Sequence, residues 1–184
     1  MLEAEHYPID INKLASYNDP LIKNAWTLFI PDIPGNSGVA DATKNIQIQA
    51  QTVSNLINYD INDVKVKMQR FVFHYAGAMK HQQSFTATFF DTVEGQLYKT
   101  LQAWRNITVD YDTGLNYSKN TYATTGFLYH YGVNGNTAIE FTLNNLWLRT
   151  IKSDSYESTN DNTNLFMFSC EFVYDFLDNP VLIG

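Results

Sequence analysis

At 184 residues, with 45% hydrophobic and 15% aromatic residues, the chain is too apolar for a disordered protein. It is long enough to bury about 70% of its unfolded surface in one domain. The net charge of −7 argues against a sequence-independent duplex binder, which needs a basic footprint to displace counterions from phosphate. The single cysteine, Cys170, excludes an internal disulfide and lies in the apolar run Phe166-Met167-Phe168-Ser169-Cys170, where it reads as a buried structural thiol. No charged and then apolar leader opens the chain, and no apolar run approaches the ~18 residues of a membrane span. The expectation is synthesis and folding in a reducing cytoplasm, where the sequons at Asn106 and Asn116 carry no meaning.

Residues 1–23 read as an N-terminal arm in which Ile11, Leu14 and Ala15 make one or two amphipathic turns before Asn18-Asp19-Pro20 stops them. The first strand is Trp26–Ile30, followed by a loop dense in turn formers, Pro31–Gly38. Asn45–Thr52 alternates, which predicts a strand with Ile46, Ile48 and Ala50 facing in and Gln47, Gln49 and Gln51 facing out. Val64–Gln69 alternates too, with Lys65, Lys67 and Gln69 as its polar row, and Arg70–Tyr75 continues it as an aromatic strand. Gly77–Gln83 reads as a turn or an extended loop.

The next stretch organises the rest. Ser84–Phe90 places Phe85, Ala87 and Phe89 on one side, the period of a strand with one buried face. At Asp91 the period changes. Val93, Leu97, Leu101 and Trp104 recur at helical spacing, so a helix over about 91–105 is predicted to lie across a sheet. Asp91 is its expected cap, with Glu94 as the reciprocal partner of a capping box and Gly95 loosening the first turn.

Residues 106–124 lack periodicity and predict a long excursion of the functional or interface-making kind. Gly126–Tyr131 sets Phe127, Tyr129 and Tyr131 on one face, and an Asn-Gly turn within 132–136 leads to a strand over Thr137–Leu148. Lys152–Asn164 is a polar loop. Leu165–Leu177 closes the domain, with Phe166, Phe168, Cys170, Phe172 and Tyr174 on one side and Met167, Ser169, Glu171, Val173 and Asp175 on the other. Seven or so strands and one crossing helix predict a mainly β fold, an antiparallel β-sandwich or barrel with a flanking helix, over residues 24–178; 179–184 form a tail.

Chemistry is sparse. His6, His74, His81 and His130 show no metal-ligand spacing. There is no nucleophile elbow, phosphate-cradling glycine loop or dinucleotide fingerprint. Asp110 with Asp112, or Asp154 with Glu157, could be written as a carboxylate pair, but in loop-like sequence with nothing to desolvate them they read as solvated charges. Asn160-Asp161-Asn162 lacks the glycine and terminal Glu of a calcium loop. The expectation is therefore no enzyme: no catalytic residue, no cofactor and no metal.

The order of elements resembles the tail tube proteins of contractile bacteriophages, a family that shares its fold with the ring protein of type VI secretion (Hcp-like). The residues that carry it are an Asn12–Leu14 arm before Asp19–Trp26, and an alternating strand ending at Asn55-Leu56-Ile57. Then come the strand and helix ending in Trp, Thr86–Trp104, and a late Leu143–Trp147 run before a polar loop and a closing Phe172-Val173-Tyr174-Asp175. Where many members have Pro after Leu-Trp, this chain has Leu148, and its 152–164 loop is long. The resemblance implies hexameric rings stacked into the inner tail tube of a virion assembled in the host cytoplasm. It also implies a sheath, a baseplate and a tape-measure protein as partners, and double-stranded DNA passing through the lumen without specific binding. A baseplate tube initiator, a tail terminator and a secretion-system ring protein share that fold. No membrane role is implied. The arm, the 31–45 and 55–63 loops and the 106–124 excursion are the expected contacts between subunits or rings. A carbohydrate-binding jelly roll is the competing class, suggested by twelve Tyr and three Trp; Trp26, Trp104 and Trp147 lie in apolar periodic segments, which favours core or interface over a sugar platform.

Overall fold

In a computed structural model, residues 25–35, 41–57, 59–110, 112–132, 135–153, 166–178 and 181–182 are described. Their centre is one 17-residue strand, β7 (Thr137–Ser153). Along one edge of its first half runs β6 (Thr124–Tyr131), which pairs in turn with β1 (Trp26–Phe29). Along the other edge follow β8 (Met167–Val173), β9 (Phe176–Leu177) and β10 (Val181–Leu182). Beyond β8 lie β5 (Ser84–Phe90) and then β2 (Ala50–Ser54), giving the antiparallel order β1-β6-β7-β8-β5-β2. The strand β7 turns from one sheet into the other near Asn145, whose φ of 54° lies in the left-handed region that Asn tolerates better than most residues. A register shift between Leu148 and Thr150 adds to the bend. The end strands β1 and β2 do not pair with each other, so the sheet folds over as a sandwich without closing into a barrel.

Alternation places one side of each strand inside. Phe85, Ala87 and Phe89 of β5 and Phe168, Cys170 and Phe172 of β8 join Leu28, Leu128, Phe141, Leu143, Leu146 and Leu148 in one core. Phe85 stacks on Phe172 at 5.2 Å and Phe89 on Phe168 at 5.7 Å, directly opposed pairs in the β5–β8 register. Two helices flank this core, α1 (Ala42–Gln49) and α2 (Gln96–Asn106), and α2 buries Leu97, Thr100, Leu101 and Trp104 in it. The Trp104 ring centre sits 5.8 Å from that of Phe172, and its Nε1–H donates to the Tyr122 carbonyl at 2.7 Å, so even the indole's polar end is satisfied. Burial pushes the Cys170 thiol pKa far up, which makes it an inert core group as the sequence suggests. No helix among the described residues is long and apolar enough to cross a membrane.

Four expectations are corrected. The alternating stretch from Asn45 does not start as a strand: Ala42–Gln49 is a helix, α1, and only Ala50–Ser54 is extended. Ala42, Ile46 and Gln49 recur at helical spacing and are buried, whereas Ile48 is 59% exposed. The Gln47–Gln49–Gln51 row therefore does not exist, because Gln49 points inward. The helix at 91–105 starts later, at Gln96, with Gly95 at φ 63° as its N-cap and Val93 fully exposed rather than in the stripe. Asp91 still caps it from a distance, its carboxylate accepting from the Thr92 and Tyr98 amides at 2.8 and 2.9 Å. It is also not the sole helix, since α1 and a single turn, α3 (Lys119–Tyr122), accompany it. Finally, Arg70–Tyr75 does not prolong the Val64–Gln69 strand. Gln69 and Arg70 form a turn, and the chain doubles back as a hairpin of β3 (Tyr59–Met68) and β4 (Phe71–His81), so Gly77–His81 is strand rather than loop. The N-terminal arm and residues 154–165, with Asp154, Glu157 and Asp161, lie outside the described residues.

Candidate assembly interface

Among the described residues the β3–β4 hairpin pairs only with itself, forming a separate two-stranded sheet. Its register puts Val64 opposite Tyr75, Val66 opposite Phe73 and Met68 opposite Phe71, so these six side chains share one face. The other face holds Lys65 opposite His74, Lys67 opposite Val72 and Asp63 opposite Ala76. There His74 Nδ1 lies 2.7 Å from an Asp63 carboxylate oxygen, with Lys65 Nζ at 3.8 Å from the same oxygen. The hairpin is thus amphipathic, with an apolar face that nothing described covers: Phe71 is 68% exposed, Phe73 44%, and Val64, Met68 and Tyr75 are exposed as well. An isolated two-stranded hairpin is marginal in water, and a contiguous apolar face of this size on a soluble protein marks a contact site. Residues 59–81 carry four of the chain's twelve Lys and Arg and two of its nineteen Asp and Glu. The segment is therefore net +2, against −9 for the remainder.

A bulge bends the hairpin between Ile61 and Asp63, where β4 carries one residue more than β3. Gly77 sits there because a Cβ would come within 2.9 Å of the Asn62 carbonyl oxygen.

The second feature is the open seam between β1 and β2. Each of these strands has a partner on one side alone among the described residues, so each presents a row of unpaired backbone groups. Between them lies a cleft of about 660 Å³ lined mainly by Trp26, Val53, Leu56, Leu128, His130 and Phe141. Burial holds the His130 pKa below its ordinary value of 6.5, and its ring meets Phe141 edge-on at 6.1 Å.

The outward face of the β7–β8–β5–β2 sheet is different again. Cross-strand register lines up Ser54, Thr86, Glu171 and Thr150 in one row and Thr52, Thr88, Ser169 and Lys152 in the next. This is a hydroxyl-rich surface whose charges are Glu171, its 3.3 Å partner Arg149, and Lys152. On the outward face of β1 and β6, Phe29, Phe127 and Tyr129 cluster with ring centres 6.0–6.4 Å apart.

Of the contacts expected from sequence, 55–63 falls at the root and first strand of the hairpin, and 106–124 contains α3 and a short turn closed by a Val109–Asn116 bridge. Asp110 lies in this turn, where Asp112 meets it through its backbone amide. The Asp110 carboxylate accepts from the amides of Asp112 and Thr113 and from the Tyr117 hydroxyl at 3.1 Å; these bonds, led by those from Thr113, lower its pKa, while the hydrogen bond to Asp110 raises that of Tyr117. The described residues hold no cluster of three or more His, Cys, Asp or Glu that could bind a metal. The apolar face of the hairpin was missed by sequence reasoning, although the alternation of Val64, Val66 and Met68 with Lys65 and Lys67 was its signal.

A two-sheet antiparallel sandwich with an open seam and a projecting amphipathic hairpin is the class of fold in hand, and solved structures resemble it in overall fold. No family model matches the sequence, and no curated protein does. A chain of the anti-feeding prophage cap structure, the tube-terminating cap, superposes with a TM-score of 0.59 at 9% identity over 98% of this chain and 99% of that one. A chain of the sheath–tube complex of the PVC extracellular contractile injection system gives 0.57 at 12% identity over 96% and 100%. A chain of the anti-feeding prophage baseplate gives 0.58 at 8% identity over 91% and 99%. The chain has the contractile tail-tube fold.

Proposed function

We propose that this protein is a structural subunit of a contractile tail tube. Copies close head to tail into a hexameric ring, and rings stack into a hollow conduit inside a contractile sheath. The observation that carries this reading is the β3–β4 hairpin, whose apolar face, with Phe71 and Phe73 at its tip, has no partner among the described residues. The same chain offers an apolar cleft and two open strand edges. A projection and a receiving surface on one molecule make a heterologous contact, which closes into a ring by rotation and extends into a filament by stacking. Pairing across copies would also remove the open edges at β1 and β2. Opposite net charges on hairpin and body favour copy-to-copy docking further.

On this reading the hydroxyl-rich outward face of β2, β5 and β8 is a wall of the bore: wetted, weakly charged and with little hold on a passing polyanion. The bore then owes its low adhesion to hydroxyls more than to acids. The role is architectural, not catalytic. Partners are further copies, a sheath and a baseplate, with a tape-measure protein and DNA as the transient occupants in a phage tail. Likeness to a tube-terminating cap supports a second reading, a terminator that forms one ring and stops.

Negative-stain imaging of the concentrated protein tests both. Tubes support the tube subunit, isolated rings that do not extend support the terminator, and a 21.1 kDa particle that stays single at every concentration overturns both.

A further inference from the structure

At the root of the hairpin that projects from the sandwich, one side chain meets both of its stems. Tyr174 follows the last residue of β8 and is 4% exposed, its ring against Phe85 with centres 6.3 Å apart. Its hydroxyl reaches the Leu56 carbonyl at 2.8 Å and the Gln82 carbonyl at 2.9 Å. Leu56 lies just before β3 and Gln82 just after β4, so the one phenolic hydrogen is shared between the two stems of the hairpin. The backbone repeats the tie, because the Tyr174 amide donates to the Gln83 carbonyl at 3.0 Å and the Gln83 side-chain amide donates to the Asp175 carbonyl. Asp175 is itself fixed: its carboxylate takes Lys119 Nζ of α3 at 2.6 Å and Asn145 Nδ2 at the β7 bend at 2.7 Å.

We propose that Tyr174 is the positioning residue of the hairpin, setting the direction in which it leaves the sandwich so that it meets a second copy already aligned. The docking role rests on the tube reading above; the clamp itself does not. A hairpin tied to the body by two stems alone would swing as a lever, and ordering it would then draw on the free energy of association. With both stems hydrogen-bonded to one buried phenol, that ordering is complete before contact. The residue does this through its hydroxyl, while its ring serves the core, so the two roles separate in Tyr174→Phe.

The test compares full-length wild type with Tyr174→Phe in three measurements. In dilute protein, hydrogen exchange of residues 59–81 is expected to accelerate about tenfold, the equivalent of one net hydrogen bond, with β5 and β8 unchanged. The thermal midpoint is expected to move little, and the concentration at which assemblies form to rise about tenfold. Unchanged exchange over 59–81, or equal acceleration throughout the chain, overturns the clamp. Faster hairpin exchange with an unchanged assembly threshold overturns the positioning role. If wild type forms no assembly at any concentration, the tube reading fails while the exchange comparison still decides the clamp.

Discussion

Replacing Phe71 and Phe73 together by Ser separates the apolar hairpin face from the fold. In the single chain Phe71 is 68% and Phe73 44% exposed, so about half of their joint area is free to be covered by a neighbour. With about 200 Å² for each side chain, roughly 220 Å² remains to be covered by a second copy. At about 25 cal/mol per Å² this is worth at most about 5–6 kcal/mol per subunit. Association costs and imperfect burial take a share of that. If half is realised, the threshold for assembly rises about a hundredfold. The monomer's unfolding free energy should shift by less, no more than about 2 kcal/mol. Sedimentation over a concentration series reads the first quantity and urea unfolding the second. An unchanged threshold, or a monomer destabilised by more than about 2 kcal/mol, would show that the rings are already covered within the chain and would refute the argument.

Three further outcomes follow from the geometry. Ile46→Lys should unfold the protein or cost several kcal/mol by burying an unpaired cation, while Ile48→Lys should be neutral within about 0.5 kcal/mol by thermal melting; equal costs would restore the strand that alternation suggested. Gly126→Ala should lower stability by about 1–3 kcal/mol, since its Cβ would fall 2.5 Å from Leu146 Cδ2 in a filled core; a neutral result would mean that this leucine is free to move aside. The Lys119 hydrogen bond holds the Asp175 carboxyl below its ordinary value of 3.8. Its stabilisation is therefore present above about pH 4 and is lost as pH falls through the depressed folded value. Wild type should melt above Asp175→Asn at pH 7, and the gap should close below pH 4; a gap independent of pH would contradict the ion pair.

The strands with one buried face were legible because their pattern has a single explanation. Phe85, Ala87 and Phe89, and likewise Phe168, Cys170 and Phe172, alternate so regularly that only a strand buries them all, and both sets are buried. The stripe of Leu97, Leu101 and Trp104 was equally clear. Where α1 stands, Ile46, Gln47, Ile48 and Gln49 satisfy the strand period while the helix hides a Gln and exposes an Ile, so local pattern pointed the wrong way and tertiary contacts decided. The hairpin turn escaped notice because Gln69-Arg70 contains none of Gly, Asn, Asp or Pro, although Gln69 adopts a φ of 54°. Its amphipathicity was visible as alternation, but which side lacked a partner is a property of the whole fold. The Tyr174 clamp joins residues 118 and 92 positions apart, which no local pattern encodes.

The central claim is that this chain completes itself against its own copies through the hairpin and the open seam. Hydrogen exchange of the same protein, dilute and then assembled, tests it most directly. The account predicts that protection is gained at residues 59–81 and at the free edges 26–29 and 50–54, with little change in α2. Assemblies whose new protection falls elsewhere, leaving the hairpin and both edges exchanging as in the dilute chain, would contradict it.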